Sequence, residues 1–483
     1  MKKPTPSRFT SEVPSGVKEL RRLPRARRWR LTTTLLVGAA LLVVACSSTV
    51  PVVVPTPEPE PPTLPAPPVA YVVSLAGEAD VVLPGTVVEF VATIVPEYDG
   101  ELVWTASAGT LVADGHRAVV SAPDDAGLVE VAVALVSAPE RRADADLEVR
   151  TGLTESFTIA VLPDTQNMVQ FEDRAPLFVD MVDWIVASRE ARAIEFVTHT
   201  GDVVAWADRE VEWARARDAL DRLDGVVPYS VAVGDHEYDP EEYKDGSVAN
   251  YLAHFGPQRY AEYDWYLGSH DAGLSHLQTF TAGGRTFLHL AVEWEPTGTI
   301  DDPSSPLGWA RAVLEANPGV PTIITTHAYL WDRPGEEGHF RWRGREAFVY
   351  GDDGVSKVWV GPTGEALFAA LVEPFPQVFM VLGGHFHLAD VPDQGRVHQV
   401  STNAGGFEVY EMLANFQSWP NGGDGWLRTI EFLPAGGAGG LDRIAVETYS
   451  PSRERAGLDA YQTDAAGSFH FDLDFEARFD LTD

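Results

Sequence analysis

Five short segments hold the side chains best suited to chemistry: Asp164-Thr165-Gln166, Gly201-Asp202, Gly234-Asp235-His236-Glu237, Thr326-His327 and Gly384-His385-Phe386-His387. Carboxylates, imidazoles and amide oxygens are donors for divalent cations. Two such cations about 3.5–4 Å apart can hydrolyse a phosphate ester, because they activate water and neutralise charge on the phosphoryl oxygens. A pair of cations that close requires an anionic bridge. In His385-Phe386-His387, the alternation of an extended chain puts both imidazoles on one side and Phe386 on the other. Gly383 and Gly384 let the backbone approach closely. Taken singly, any of these residues is more often structural, so the signal is the set of five in order. Competing chemistries lack their motifs: there is no H-E-x-x-H, no Walker loop and no G-x-S-x-G. The only cysteine is Cys46, which excludes an intrachain disulfide and leaves no other thiol for catalysis.

The elements that must position these residues are an alternation of buried apolar strands and amphipathic helices. Strands are predicted at residues 157–162, 194–200, 229–233, 286–292, 322–326 and 378–382. A helix should open at Pro176, with Phe178, Val182, Ile185 and Val186 at helical spacing, and a second should cover residues 210–223. Each of the five segments follows a predicted strand directly, and strand ends are where α/β proteins place their chemistry. Gly436 to Gly440 suggests a phosphate loop, but no Lys-Ser/Thr follows it, and it reads as the connection of a hairpin between residues 426–433 and 444–449.

In this order the five segments resemble the calcineurin-like metallophosphoesterases, whose pattern is D-x-H, G-D, G-N-H-E/D, H and G-H-x-H. Asn415-Phe416-Gln417, residues 423–428 and residues 446–451 look like the tail of secreted members. The resemblance implies an α/β fold, a four-layer sandwich of two sheets flanked by helices, over residues 155–455. It implies hydrolysis of a phosphate mono- or diester by a hydroxide activated between two divalent ions (Mn, Fe, Mg, Ca or Zn). Asp202 would bridge the ions. Asp164, Gln166 and His387 would complete the first metal site, and Asp235, His327 and His385 the second. His236 would be the general acid at the leaving oxygen, a task that suits an imidazole, and Glu237 could orient it. Two departures stand out. Gln166 replaces a His, and Asp235 replaces an Asn, a change that adds a carboxylate and favours hard, oxygen-loving metals. The rival reading is a non-catalytic surface binding protein on a degenerate form of the same fold.

The flanking sequence suggests where such a domain works. Residues 1–45 carry ten Lys/Arg against Glu12 and Glu19, while the whole chain has a formal charge of -35. The body is therefore strongly acidic, which argues against binding a nucleic acid duplex. Basic residues 18–30, the short apolar run 31–44 and Cys46 form a signal peptide ending in what looks like the lipobox of bacterial lipoproteins, with Cys46 as the lipidated residue (residues 1–46). Residues 47–69 are Pro-rich and should run as an extended spacer. The expected location is extracytoplasmic, lipid-anchored to the cell envelope. Residues 70–150 alternate like strands; the stretch around Trp104 resembles bacterial immunoglobulin-like repeats, in which a buried Trp packs between two sheets. Residues 456–483 are set apart as a C-terminal tail. Finally, Arg333, Arg341, Arg343 and Arg345 among Trp331, Phe340 and Trp342 either clamp a phosphate or form a solvated loop paired with carboxylates.

Overall fold

The computed structural model describes residues 71–82, 84–150, 152–331, 340–341, 362–387 and 395–479. Residues 1–46 with Cys46, the spacer 47–69, and Arg333, Arg343 and Arg345 lie outside them. Among the described residues, no helix is long and apolar enough to cross a membrane.

The first 80 or so described residues form two four-stranded sheets. Strand Val87–Val95 alternates between buried and more exposed positions, as period-2 side-chain direction demands. Val88, Phe90 and Val120 from one sheet meet Val129, Val131 and Leu147 from the other in a single core. Trp104 departs from expectation. It is only partly buried at the flank of this core, with its Nε1–H donated to the Gly115 carbonyl.

From residue 153 onward two seven-stranded sheets dominate. In the first, Phe157–Leu162 runs parallel to Ile194–His199, which runs parallel to Tyr229–Val231. On its other side lies the antiparallel hairpin Leu427–Leu433 and Asp442–Tyr449, with the glycine run 436–440 in its connection, as the sequence suggested. In the second, Arg285–Val292, Thr322–Thr326, Val378–Gly383 and Glu408–Ala414 are parallel neighbours. The sheets face each other through Phe157, Ile159 and Phe196 from one and Phe287, Ile323 and Phe379 from the other. Phe157–Leu162 is buried at all six positions, because helices cover the face turned away from the second sheet.

That cover follows from the apolar spacing. Helix Ala175–Ser188 starts with Pro176 in its first turn and buries Phe178, Met181, Val182 and Ile185, one stripe of the cylinder. Each such side chain contributes about 1.5–3 kcal/mol of burial. Glu210–Leu220 packs Trp213, Ala216 and Leu220 inward, and its predicted last turn tightens to a 3₁₀ turn at Asp221–Leu223. Helix Pro306–Ala316 lies over the second sheet. The result is the expected four-layer α/β architecture.

Within the segment 456–483, the described residues up to Phe479 are not a detached tail. Strand Ser468–Leu473 pairs with Asp442–Tyr449, and helix Phe475–Phe479 buries Phe475 and Phe479 between the sheets. Arg478 donates to the carbonyls of Pro376 and Val378, while the Phe479 carbonyl accepts from Arg285. The reason is apolar content: Phe471, Leu473, Phe475 and Phe479 supply core that the sheets would otherwise expose.

Candidate metal centre

All five segments converge at one end of the two sheets. Asp164 follows Phe157–Leu162, Asp202 follows Ile194–His199, Asp235 follows Tyr229–Val231, His327 follows Thr322–Thr326, and His385 follows Val378–Gly383. Asp202, Asp235, His327 and His385 form a group whose donor atoms lie within 4.8 Å of one another. Within it, Asp235 Oδ1 is 3.0 Å from His327 Nε2 and 2.9 Å from His385 Nδ1, and Asp202 Oδ1 is 3.1 Å from His327 Nε2. His327 Nδ1 donates to the Thr200 carbonyl at 2.9 Å, which leaves Nε2 as its ligating face.

The backbone at these strand ends is unusual. Asp202 (φ 55°) and His385 (φ 66°) both sit in the left-handed region that non-glycine residues avoid. Strain of this kind persists only where surrounding contacts enforce it. Here a Cβ on Gly234 would collide with Asp202 Oδ1, and one on Gly384 with Asp164 Oδ1, so the close approach requires glycine at both positions.

Glu237 supplies much of the enforcement. Its fully buried carboxylate accepts the N–H groups of Asp202 (2.9 Å) and Gly234 (2.7 Å) on one oxygen and Val203 (2.8 Å) on the other. It therefore ties the Asp202 turn to the Asp235 turn. The expectation that Glu237 orients His236 does not hold, because its oxygens are spent on these backbone groups. His236 instead donates Nδ1–H to the Ala205 carbonyl at 2.8 Å.

The family comparison agrees with this geometry: residues 157–389 match the model of the calcineurin-like phosphoesterase family. Over these residues, just under half of the chain, the protein is similar to that family. Among curated proteins, the uncharacterized protein YvnB of Bacillus subtilis (strain 168) is 28% identical over 331 residues, 67% of this chain; the chain spans only 22% of YvnB's length. Among solved structures, purple acid phosphatase PPD1 from yellow lupin seeds is 13% identical, with 84% of this chain and 75% of that one covered at a TM-score of 0.38. GAP50, the anchor in the inner membrane complex of Plasmodium, is 9% identical over 66% of this chain and 89% of that one, at a TM-score of 0.33.

The other residues expected as ligands are less tightly gathered. Asp164 Oδ2 accepts from His385 N–H (2.9 Å) and Asn415 Nδ2 (2.7 Å), and Oδ1 accepts from Thr200 Oγ1 (3.1 Å). Gln166 Nε2 donates to Asp202 Oδ2 at 2.8 Å. His387 Nδ1 lies 2.6 Å from Ser418 Oγ. Asn415 was noticed in the sequence only as part of a family-like tail. It is a site residue, because it binds both Asp164 and the His385 carbonyl.

Electrostatics separate these groups. Burial, reinforced by Asp202, pushes Asp164 up to about 7 against the pull of His327 and His385. For Asp235, burial is outweighed by His385 and His327, which hold it well below the usual carboxylate range. Burial would likewise lower His236, but Asp202 and Asp235 outweigh it and raise it to about 9. Burial, with His385 beside it, pulls His387 down to about 4 and keeps it neutral, as a metal ligand must be.

His199, the last residue of strand Ile194–His199, has a supporting role. Its Nδ1 accepts the Gly201 N–H at 3.2 Å, and its Nε2–H donates to Thr165 Oγ1 at 3.0 Å, which in turn donates to the Val203 carbonyl. It is a fully buried floor beneath the Asp202 turn.

Proposed function

We propose that this protein hydrolyses a phosphate mono- or diester with two divalent cations, outside the cytoplasm and anchored through lipid on Cys46. The observation that carries this reading is the group Asp202, Asp235, His327 and His385 at the strand ends of a region similar to the calcineurin-like phosphoesterase family. These four would hold one cation; Asp164, Gln166 and His387 would hold the second, with Asp202 shared. A further feature fits: Gln166 Oε1 is buried and has no hydrogen-bond partner among the described residues, a state that costs about 1–3 kcal/mol unless a cation takes the oxygen. When bound, the cations supply a polarised water and positive charge at the phosphoryl oxygens.

The protein's own groups do the rest. With its Nδ1–H committed to Ala205, His236 has Nε2 available to hold a proton toward the leaving oxygen. Asp235 in place of an amide makes the site richer in carboxylates and suits Mn, Mg or Ca over Zn. The lipid anchor is supported by the basic and apolar run before the single Cys46, and the acidic body by itself disfavours a nucleic acid partner.

The test is hydrolysis of para-nitrophenyl phosphate and bis-para-nitrophenyl phosphate by the full chain, stripped of metal and then given Mn, Mg, Ca or Zn. Metal-dependent turnover is expected, and the preferred ester sets the subclass. Absence of turnover with every metal overturns the reading.

A further inference from the structure

Ala205 and Trp206, just beyond Asp202, are held from below by a residue that belongs to none of the five segments. Glu212, in the first turn of helix Glu210–Leu220, is 1% exposed, and its Oε2 accepts the N–H groups of Ala205 (2.8 Å) and Trp206 (3.0 Å). The Trp206 N–H and the Ala205 carbonyl belong to one peptide unit. Since a trans peptide is planar, with N–H and C=O pointing in opposite directions, Glu212 grips one side of this plane while His236 Nδ1–H binds the other at 2.8 Å. The next residue is anchored too: the Ala207 carbonyl accepts from Trp213 Nε1 (2.8 Å) and Asn250 Nδ2 (2.7 Å).

We propose that Glu212 is a positioning residue for His236, acting through the Ala205–Trp206 peptide as a carboxylate–peptide–imidazole relay. The inference rests on the phosphoesterase reading for its consequence in catalysis, but the relay itself is a matter of structure. A carboxylate on the N–H polarises the peptide and strengthens its carbonyl as an acceptor, since hydrogen bonds in series reinforce one another in a buried setting. The hydrogen bond on one imidazole nitrogen decides what the other nitrogen presents. Glu212 thereby fixes Nδ1–H toward Ala205 and leaves Nε2 facing the reaction. The occupant of this role need not be acidic for geometry alone, because a glutamine oxygen can also accept two N–H groups.

The experiment follows the His236 Nδ1–H proton by NMR in the full chain labelled with ¹⁵N-histidine, the signal being the one lost in His236→Gln. In Glu212→Ala its exchange with water should quicken roughly tenfold as the acceptor weakens. Glu212→Gln should restore the protection. With para-nitrophenyl phosphate and Mg, kcat of Glu212→Ala should fall roughly tenfold, a fraction of what general acid catalysis contributes, while KM and bound metal stay as in the parent. A folded Glu212→Ala whose Nδ1–H remains as protected as in the parent overturns the proposal. If Glu212→Ala does not fold, Glu212→Asp, which retracts the carboxylate by one methylene, carries the same two outcomes. A parent chain inactive with every metal overturns the phosphoesterase reading alone, since the proton measurement does not depend on turnover.

Discussion

The two halves of the candidate centre are built differently. Asp202, Asp235, His327 and His385 stand at strand ends with their donor atoms within 4.8 Å, and Glu237 ties two of their turns together. Asp164, Gln166 and His387 lie on the other side, where Asp164 is shared with Thr200, His385 and Asn415, and His387 leans on Ser418. In one half the donor atoms are preformed as a single group; in the other they are held apart against separate hydrogen-bonding neighbours. A preformed site loses less entropy on binding, so the first half should hold its cation more tightly. The comparison also explains why Gln166 can stand where a histidine is common: its amide nitrogen is used on Asp202 while its oxygen remains for the cation.

The largest effect should come from the residue that both halves share. Asp202→Asn removes the charge proposed to bridge the two cations, so both should be lost together. Turnover should then fall by more than the roughly 10–100-fold that loss of a supporting partner costs. Metal analysis of the purified variant checks this; a variant that keeps both ions breaks the view that the halves meet at Asp202.

Single-half variants sharpen the comparison. His327→Ala should abolish the tighter phase of a Mn titration followed by calorimetry and leave the weaker one, whereas His387→Ala should do the reverse. The expected change in each affected phase is at least about 10–100-fold in affinity. Equal losses from both variants would show that the halves bind as one unit.

How much of this could be read from the sequence depended on the range of the interaction. Strands 157–162 and 322–326 emerge at the expected residues, because runs buried on both faces leave a continuous apolar signature. The donor residues were legible as well, since each sits in a short motif beside its strand. What the sequence hid were contacts made by side chains to distant backbone. Asn415 reaches Asp164 across 251 residues, and Glu237 grips N–H groups 33 to 35 residues before it. Backbone donors leave no trace in residue types, so Glu237 looked like a partner for its neighbour His236. The tail failed for a related reason: Phe475 and Phe479 in a short polar stretch show no period long enough to mark a core helix.

A smaller effect tests the clamp on the preformed half. Glu237→Ala leaves the Asp202, Val203 and Gly234 N–H groups buried without their acceptor, each a loss of about 1–3 kcal/mol if nothing replaces it. The melting temperature should drop by several degrees or more, and the tighter metal phase should weaken while the weaker phase is spared. Calorimetric melting with and without Mn reads both; equal weakening of the two phases would count against the division drawn between the halves.

A last effect concerns buried histidines, among them the floor beneath the Asp202 turn, and comes from pH. Burial, the largest influence, holds His199 at about 3 and His276 at about 4, each below the ordinary 6.5. Both are neutral in the fold: His199 Nδ1 accepts from Gly201, and His276 Nε2–H donates to the Val231 carbonyl while its Nδ1 accepts from Gln278. A depressed folded pKa means that the unfolded chain binds protons the native one refuses. Stability is therefore fully present above about 6.5 and is lost as pH falls toward 4 and then 3, at up to ~1.4 kcal/mol per pH unit for each histidine. Between pH 7 and pH 4 the urea midpoint of His199→Gln should fall less, or rise more, than that of the parent, because the Asp164 carboxyl, held up at about 7, shifts both curves alike in the opposite sense. A slope unchanged in that variant would mean that His199 titrates freely, and that the Asp202 turn rests on something other than a neutral imidazole.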